Sequence, residues 1–394
     1  MMKQIKIFNV NFGDCFLCES PESNAAMLVD FGSTKKIGNG VVNAVNLNLR
    51  SYEKKYLMIS HFHNDHYSGI RSLSHGIVFD EVYLPNFFTD EVIRLELIIL
   101  AVLSESNQAH EVALNLLSVV PDLLNHLNEL SRINYVKRKE YIVNSIDSYR
   151  VLWPDITDFN GAATVLFDDL VHYYNLTEKL EEFYRLVRRY LNLFPTLQDS
   201  EHSFMQFTEE FLVRRQGVKE EAEDIKKRII NLFKENKASV KRLSSKLSKR
   251  LSAFQNKISI CFDNAVNGNG SMKPVLFLGD ITRDNFNKIS SPTDGFNLAC
   301  EYKAIKVAHH GTKDYFVNNL PKSEYMIISN GKANNDSWRI SPLYGWHYNE
   351  RNFICTNYTD ACDYEFANKS CDASCNNASV CGINFHNVYY VLSL

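Results

Sequence analysis

Four residues able to bind a metal cation fall within six positions of Ile59-Ser60-His61-Phe62-His63-Asn64-Asp65-His66. Imidazole nitrogens and carboxylate oxygens are the usual ligands of a borderline cation such as zinc in hydrolytic sites, and a loop leaving a strand end can aim alternate side chains at one point. His61 and His63 can therefore serve one metal while Asp65 and His66 turn toward a second. A polar surface loop can also be rich in histidine, but two later segments weigh against that. In Leu276-Phe277-Leu278-Gly279-Asp280 and in Ile305-Lys306-Val307-Ala308-His309-His310-Gly311, an apolar strand ends in a residue of ligand type. Alone, Asp280 would be a turn or N-cap aspartate, and a histidine pair would be structural. Their recurrence after the first string reverses both readings, because a carboxylate at a strand end can bridge two cations.

The elements that must hold these residues follow from the apolar pattern. Short strands are expected at 4–9, 15–19, 26–30, 56–60 and 81–84, with Gly- or Asn-bearing turns between several of them. From Thr89 to about Glu140 the spacing becomes helical, as in Val92, Leu95, Ile99 and Val102. Strand character returns at Tyr149-Arg150-Val151-Leu152-Trp153-Pro154. A second helical block is expected from about Ala162 to Ala253, with breaks at Pro195 and Gly217. Beyond it, 258–262, 275–278, 304–307 and 325–329 read as compact apolar strands. The pattern predicts an α+β chain in three stretches: a first half over 1–90, a mostly helical insertion over 91–256 interrupted by a core strand near 148–154, and a second half over 257–394. No internal repeat or low-complexity tract stands out.

At 394 residues, 45% hydrophobic and 23% charged, the chain can bury a sizeable core and is not a disordered or collagen-like sequence. The longest apolar run in a helical pattern, Leu97 to Leu103, is too short to cross a bilayer. The first residues alternate polar and apolar without a secretory leader. Nine cysteines, five of them between Cys355 and Cys381, do not form the regular framework of a small secreted domain. The expectation is a cytoplasmic protein without a membrane partner. A net charge of −3 says nothing about an anionic partner for the whole molecule.

The chain resembles the metallo-β-lactamase fold superfamily, and within it the branch that includes the hydrolase domain of ComEC-type competence proteins. The resemblance is carried by Phe8-Asn9-Val10-Asn11-Phe12-Gly13-Asp14-Cys15, Met27-Leu28-Val29-Asp30-Phe31-Gly32, the H-x-H-x-D-H string, Val151-Leu152-Trp153-Pro154, Leu278-Gly279-Asp280, Val307-Ala308-His309-His310-Gly311 and a weaker Ile328-Ser329-Asn330-Gly331-Lys332. Their order matches the family's. The resemblance implies an αββα sandwich with a dinuclear metal site at one edge. By that correspondence His61 and His63 bind one cation, Asp65 and His66 the other, Asp280 bridges, and a histidine of the 309–310 pair completes the second site. His309 is preferred because it comes first after the strand, leaving His310 for a supporting or phosphate-contacting role. Many family members place another histidine before the bridging aspartate. Here that segment carries Trp153, with His347 and His172 as weak substitutes.

Two cations roughly 3.5–4 Å apart lower the pKa of a bound water and clamp the attacking and leaving oxygens of a phosphoryl group. The expected cations are zinc, with manganese as the alternative. Asp65 and His66 are expected to carry catalysis, and Thr312 and Lys306 could contact a phosphate oxygen or support the site. The branch resemblance favours a phosphodiesterase or nuclease. Between Lys226 and Arg250 ten basic residues (226, 227, 228, 234, 237, 241, 242, 246, 249 and 250) face one acid, Glu235. With Ile225, Ile229, Leu232 and Val240 they predict an amphipathic helix whose Lys226, Lys227, Arg228, Lys241, Arg242, Lys246, Lys249 and Arg250 could track a nucleic-acid backbone, or else form a solvated face or meet a partner protein. Cys362, Cys371, Cys375 and Cys381 could form a small zinc site, though they lack paired C-x2-C hooks. The alternatives to a nuclease are a hydrolase of a small or cyclic nucleotide and a scaffold that has lost turnover.

Overall fold

The computed structural model describes residues 1–86, 115, 122–128, 130–155, 182, 185, 186, 189, 204–206, 215–234, 256–265, 273–330, 340, 341, 343–348, 351–356, 365, 366, 369, 370 and 388–394. Its strands in chain order are β1 (Gln4–Phe8), β2 (Cys15–Ser20), β3 (Ala25–Phe31), β4 (Lys54–Met58), β5 (Glu81–Pro85), β6 (Arg132–Val136), β7 (Tyr141–Val143), β8 (Ser148–Trp153), β9 (Phe204–Gln206), β10 (Cys261–Asp263), β11 (Val275–Phe277), β12 (Glu301–Lys306), β13 (Lys322–Ile328), β14 (Asn352–Cys355), β15 (Glu365–Phe366), β16 (Lys369–Ser370) and β17 (Tyr389–Ser393). The helices are α1 (Asn39–Arg50), α2 (Asn64–Tyr67), α3 (Arg215–Lys234), α4 (Arg283–Ser290) and α5 (Leu343–His347).

Two mixed sheets make this an α+β chain. One has eight strands in the order β17-β1-β2-β3-β4-β5-β6-β9, the other seven in the order β14-β13-β12-β11-β10-β8-β7. Each changes from antiparallel to parallel partway across. In the first, β1, β2 and β3 are antiparallel and β3 to β6 parallel. In the second, β7, β8, β10 and β11 are antiparallel and β11 to β14 parallel.

Side-chain alternation explains how the sheets meet. Along β3, Ala25, Met27 and Val29 join an inner cluster while Ala26 and Leu28 join an outer one. Residues of both sheets make up the inner cluster, where Phe277 stacks on Phe262 at 4.8 Å and meets Phe16 edge-on at 5.7 Å. Each such large side chain contributes about 1.5–3 kcal/mol on burial. Outside, Val45 and Leu49 of α1 and Phe286 and Ile289 of α4 cover the outer faces. Thr282 caps α4, its hydroxyl accepting from the Asn285 amide at 3.3 Å.

Most expected strands are present within a few residues, but the segment read as an insertion carries more of the sheets than the single strand near 148–154. β6 lies where helical spacing was expected to continue to about Glu140, β7 follows directly after it, and β9, inside the second helical block, pairs with β6. β6 extends β5 in parallel, so its burial comes from a distant partner that local periodicity does not show. Residues 256–258 form a helical turn, and the strand expected from 258 begins at Cys261. Gly217 does not break the chain: α3 runs through it. Ala222 and Ile225 of α3 are buried, while Lys227 and Arg228 are exposed. The Lys226 side chain and Lys241, Arg242, Lys246, Lys249 and Arg250 lie outside the described residues, as do His172, Cys362, Cys371, Cys375 and Cys381. Among the described residues no helix is long and apolar enough to cross a membrane.

Candidate metal centre

The parallel strands of both sheets deliver the candidate ligands from their C-terminal ends. After β4 the chain passes through Ser60, His61 and His63 into the single turn α2, which carries Asp65 and His66. After β11 it turns at Leu278-Gly279-Asp280, and after β12 at Ala308-His309-His310-Gly311. Close backbone approach fixes these turns. A Cβ on Gly32 would run into the Asn64 carbonyl and the His66 and Tyr67 amides, so the turn after β3 must be glycine for α2 to lie against it. Gly279 has φ +52°, and a Cβ there would meet Ser259, whose hydroxyl accepts from the Asp280 amide at 2.9 Å. Asn115 braces the first loop, donating to the Phe62 carbonyl and to Asn64 Oδ1, both at 2.8 Å.

Asp280 stands at the centre of the arrangement and is fully buried. Four imidazole Nε2 atoms face its carboxylate: His66 at 3.3 Å, His61 and His309 at 3.7 Å, and His310 at 4.0 Å. Behind each ring, Nδ1 rests on the protein. His66 Nδ1 is 2.9 Å from Asp30, His310 Nδ1 3.1 Å from Asp14, His309 Nδ1 2.7 Å from the Thr312 hydroxyl and His61 Nδ1 3.1 Å from the Ser60 hydroxyl. A carboxylate behind Nδ1 accepts its proton and leaves Nε2 to face the site. His63 differs, presenting Nδ1 to His61 Nε2 at 3.0 Å.

Two groups of donor atoms, each within 4.8 Å of one another, could hold a cation: Asp65, His66, Asp280 and His310, and His61, His63 and Asp280. Asp280 belongs to both. A third group of Asp14, Asp30 and His66 lies behind the first, but Lys306 is already ion-paired to Asp14 there. A cation fits the front groups on a further observation. Among the described residues, both Asp280 oxygens and His66 Nε2 are buried without a hydrogen-bond partner; the 3.3 Å between His66 Nε2 and Asp280 Oδ1 brings opposite charge together but not hydrogen-bond geometry. Orphaned buried polar atoms are rare, and a missing ion is one of their ordinary explanations.

Charge is arranged to match. Burial pushes the Asp280 carboxyl up, but His66, His309 and His310 outweigh it and hold it well below the usual carboxylate range. Burial likewise opposes ionisation of Asp65, which the His310 hydrogen bond and His66 reverse. Burial pushes the His66 and His310 imidazoles down, yet the surrounding aspartates raise both, His310 to about 9. Burial dominates at His61, His63 and His309, all lowered, His309 to about 4. Burial also raises Asp30 despite His66.

All six residues expected to bind metal, His61, His63, Asp65, His66, Asp280 and His309, come together here, but the histidine pair sorts differently from the expectation. His310 is the one in the four-residue group. His309 stacks on Tyr315 at 3.8 Å, with Nε2 3.7 Å from Asp280, and belongs to neither donor group. Both residues have positive φ (48° and 56°), so the chain turns left-handed after β12 and the order along a strand no longer sets where each ring points. Thr312 and Lys306 are buried and do not present themselves to a phosphate: Thr312 holds His309, and Lys306 pairs with Asp14. Trp153 is buried, its indole donating to the Lys257 carbonyl, and His347 is exposed with its ring 5.3 Å from Phe316. Neither belongs to a donor group. Sequence reasoning assigned no role to Asp14, Asp30 or Ser60. The available signal was an acid within two residues of a glycine at the edge of an apolar run, as in Gly13-Asp14 and Asp30-Phe31-Gly32.

No protein-family model matches the chain, and no curated protein matches it.

Proposed function

We propose that the chain is a metal-dependent phosphodiesterase built on a metallo-β-lactamase-like sandwich, with a nucleic acid or nucleotide as substrate and two divalent cations, zinc first, as cofactor. The observation that carries the reading is the convergence of backed imidazoles on one buried carboxylate that has no hydrogen-bond partner among the described residues. His61, His63 and Asp280 would hold one cation, and Asp65, His66, Asp280 and His310 the other. When bound, such cations lower the pKa of water and neutralise charge on a phosphoryl group.

The chain's own residues have definable parts in this. Asp30 and Asp14 hold His66 and His310 at Nδ1. Asp65, with a side chain 12% exposed while those of His66, His310 and Asp280 are fully buried, stands at the open edge and is placed to orient an incoming water. His63 and His309 are the part-exposed imidazoles, so a substrate would approach across them. In the cluster four aspartates face Lys306 and the raised His66 and His310, and bound cations would add the positive charge that a phosphodiester needs, which ties substrate binding to metal binding. Two sheets facing across one core, with helices outside, support the sandwich reading. The order of the ligand-bearing segments, the one the superfamily resemblance implies, supports the same reading, and the resemblance to the ComEC-type branch favours phosphodiesters.

The test is hydrolysis of bis-p-nitrophenyl phosphate, single- and double-stranded DNA and RNA with added zinc or manganese, with Asp65→Ala plus His66→Ala as control. Metal-dependent cleavage abolished in the control is the expected result. Turnover of the small ester alone would move the substrate to a small nucleotide, and absence of both metal uptake and turnover would overturn the reading in favour of a scaffold.

A further inference from the structure

We propose that Lys306 is a positioning residue whose ammonium, reaching from the second sheet to Asp14 of the first half, sets Asp14 to hold His310 with Nε2 turned toward the candidate cation site. The inference rests on the metal-centre reading above and adds to it a residue that binds neither cation nor substrate.

Lysine at a strand end is ordinarily solvated. Lys306 instead is 1% exposed. Along β12, Ile305 joins the outer cluster and Ala304 the inner one, so Lys306 shares the Ala304 side and enters the space between the sheets. There its ammonium is ion-paired to Asp14 Oδ2, donates to the Gly279 carbonyl at 3.2 Å and lies 3.8 Å from Asp280 Oδ1. One cation thus grips the carboxylate behind His310 and the backbone just before Asp280.

Asp14 divides its oxygens. Oδ2 takes Lys306, and Oδ1 accepts from the Ser329 hydroxyl and from His310 Nδ1, the latter at 3.1 Å. Its amide donates to the Asp65 carbonyl at 2.8 Å, fixing the Asp14 backbone to the first ligand loop. With the carboxylate held on one side by lysine and on the other by serine, Asp14 keeps an acceptor fixed at His310 Nδ1, so that a cation taking the place of the proton on Nε2, which faces Asp65 Oδ2 at 3.1 Å, would leave the remaining proton on Nδ1. Removing the ammonium takes away the ion pair that orients Asp14 Oδ2, so that the carboxylate is held against His310 less firmly, and takes that donor from the Gly279 carbonyl. A partner behind a ligating histidine typically changes metal affinity 10–100-fold.

The full chain, stripped with chelator, is titrated with cobalt(II) and followed by visible absorbance, comparing wild type with Lys306→Met, which keeps the length of the stem and removes the charge. Circular dichroism reports folding. The expected result is two phases in wild type, one of them weakened about 10–100-fold in Lys306→Met while the other holds. Independently of the variant, histidine 15N spectra of the zinc-loaded wild type, assigned for His310 by His310→Gln, should show its proton on Nδ1. Wild-type affinity in both phases of a folded Lys306→Met, or metal on Nδ1 of His310, overturns the inference and leaves the metal centre standing. Failure of wild type to take up cobalt overturns the metal centre itself, and the inference with it. If Lys306→Met does not fold, the spectra of the wild type decide.

Discussion

The two sheets repeat one plan, antiparallel strands giving way to parallel ones, and each brings its candidate ligands to the C-terminal ends of the parallel strands. They do so in different ways. The first half places His61, His63, Asp65 and His66 on one continuous loop and a single helical turn, so one backbone path sets all four. The second half supplies Asp280 from one strand and the histidine pair from the next, joined through buried side chains: Ser259 under Asp280, and Lys306 between Asp14 and Gly279. The difference separates local order from long-range order. The first half carries its geometry in the chain's own spacing, whereas the second acquires it only when the sheets pack.

The sharpest way to break that comparison is at the residue both donor groups share. Asp280→Ala should abolish metal-dependent hydrolysis, by on the order of 10³-fold or more, because it disables both groups at once. His61→Ala and His66→Ala should each leave one group able to take up a cation. Equal residual activity in Asp280→Ala and His61→Ala would show that Asp280 is not shared.

Next in size is the contrast within the histidine pair. His310→Ala should weaken cation uptake severalfold more than His309→Ala, as calorimetry with zinc would show, since His310 lies in the four-residue group and His309 does not. The reverse order would restore the preference for His309 drawn from its place after the strand.

Removal of metal should change how stability depends on pH. Burial opposes a charged His310, but Asp14 and Asp280 raise it to about 9, above an unfolded value near 6.5. A raised group stabilises below its unfolded pKa, and that stabilisation is lost as pH climbs through the folded one. The chelated protein should therefore lose melting temperature between about pH 6.5 and pH 9. Zinc affinity should rise over the same interval, because the cation displaces the proton from Nε2. Saturating zinc at 100 times Kd would add about 2.7 kcal/mol. A melting temperature flat with pH under chelation would mean that His310 is not held protonated by its aspartates.

The smallest expected effect lies outside both halves, on α3. If the substrate is a polymer, Lys227→Ala and Arg228→Ala, both exposed, should each lower the slope of log affinity against log salt by about 1 with little change in turnover of the small ester. An unchanged slope assigns that face to solvent or to another partner.

Much of this was legible in the residues, and the limits follow the same division. Strands β1 to β5 and β11 to β13 announce themselves by an apolar run or, in β1, by polar-apolar alternation, closed by a polar turn. The string from His61 to His66 is legible because its ligands are neighbours in sequence. β6 and β7 were not, since five and three residues beside a helical pattern owe their state to partners elsewhere in their sheets. β17 returns from the far end of the chain to pair with β1, a contact no local pattern encodes. Asp14 and Asp30 stood in the segments that carry the resemblance but were given no role, because an acid near glycine at a strand end suits a turn as well as it suits a histidine. The choice between His309 and His310 depends on two left-handed residues, where strand alternation stops being a guide.

The most direct measurement is the metal content of wild type and Asp280→Asn after incubation with zinc and exhaustive dialysis, by plasma mass spectrometry. About two zinc ions per chain in wild type and a near-total loss in a folded Asp280→Asn are expected of one carboxylate shared by two cations. Zinc at background level in wild type, or undiminished in the variant, would contradict a shared centre at Asp280.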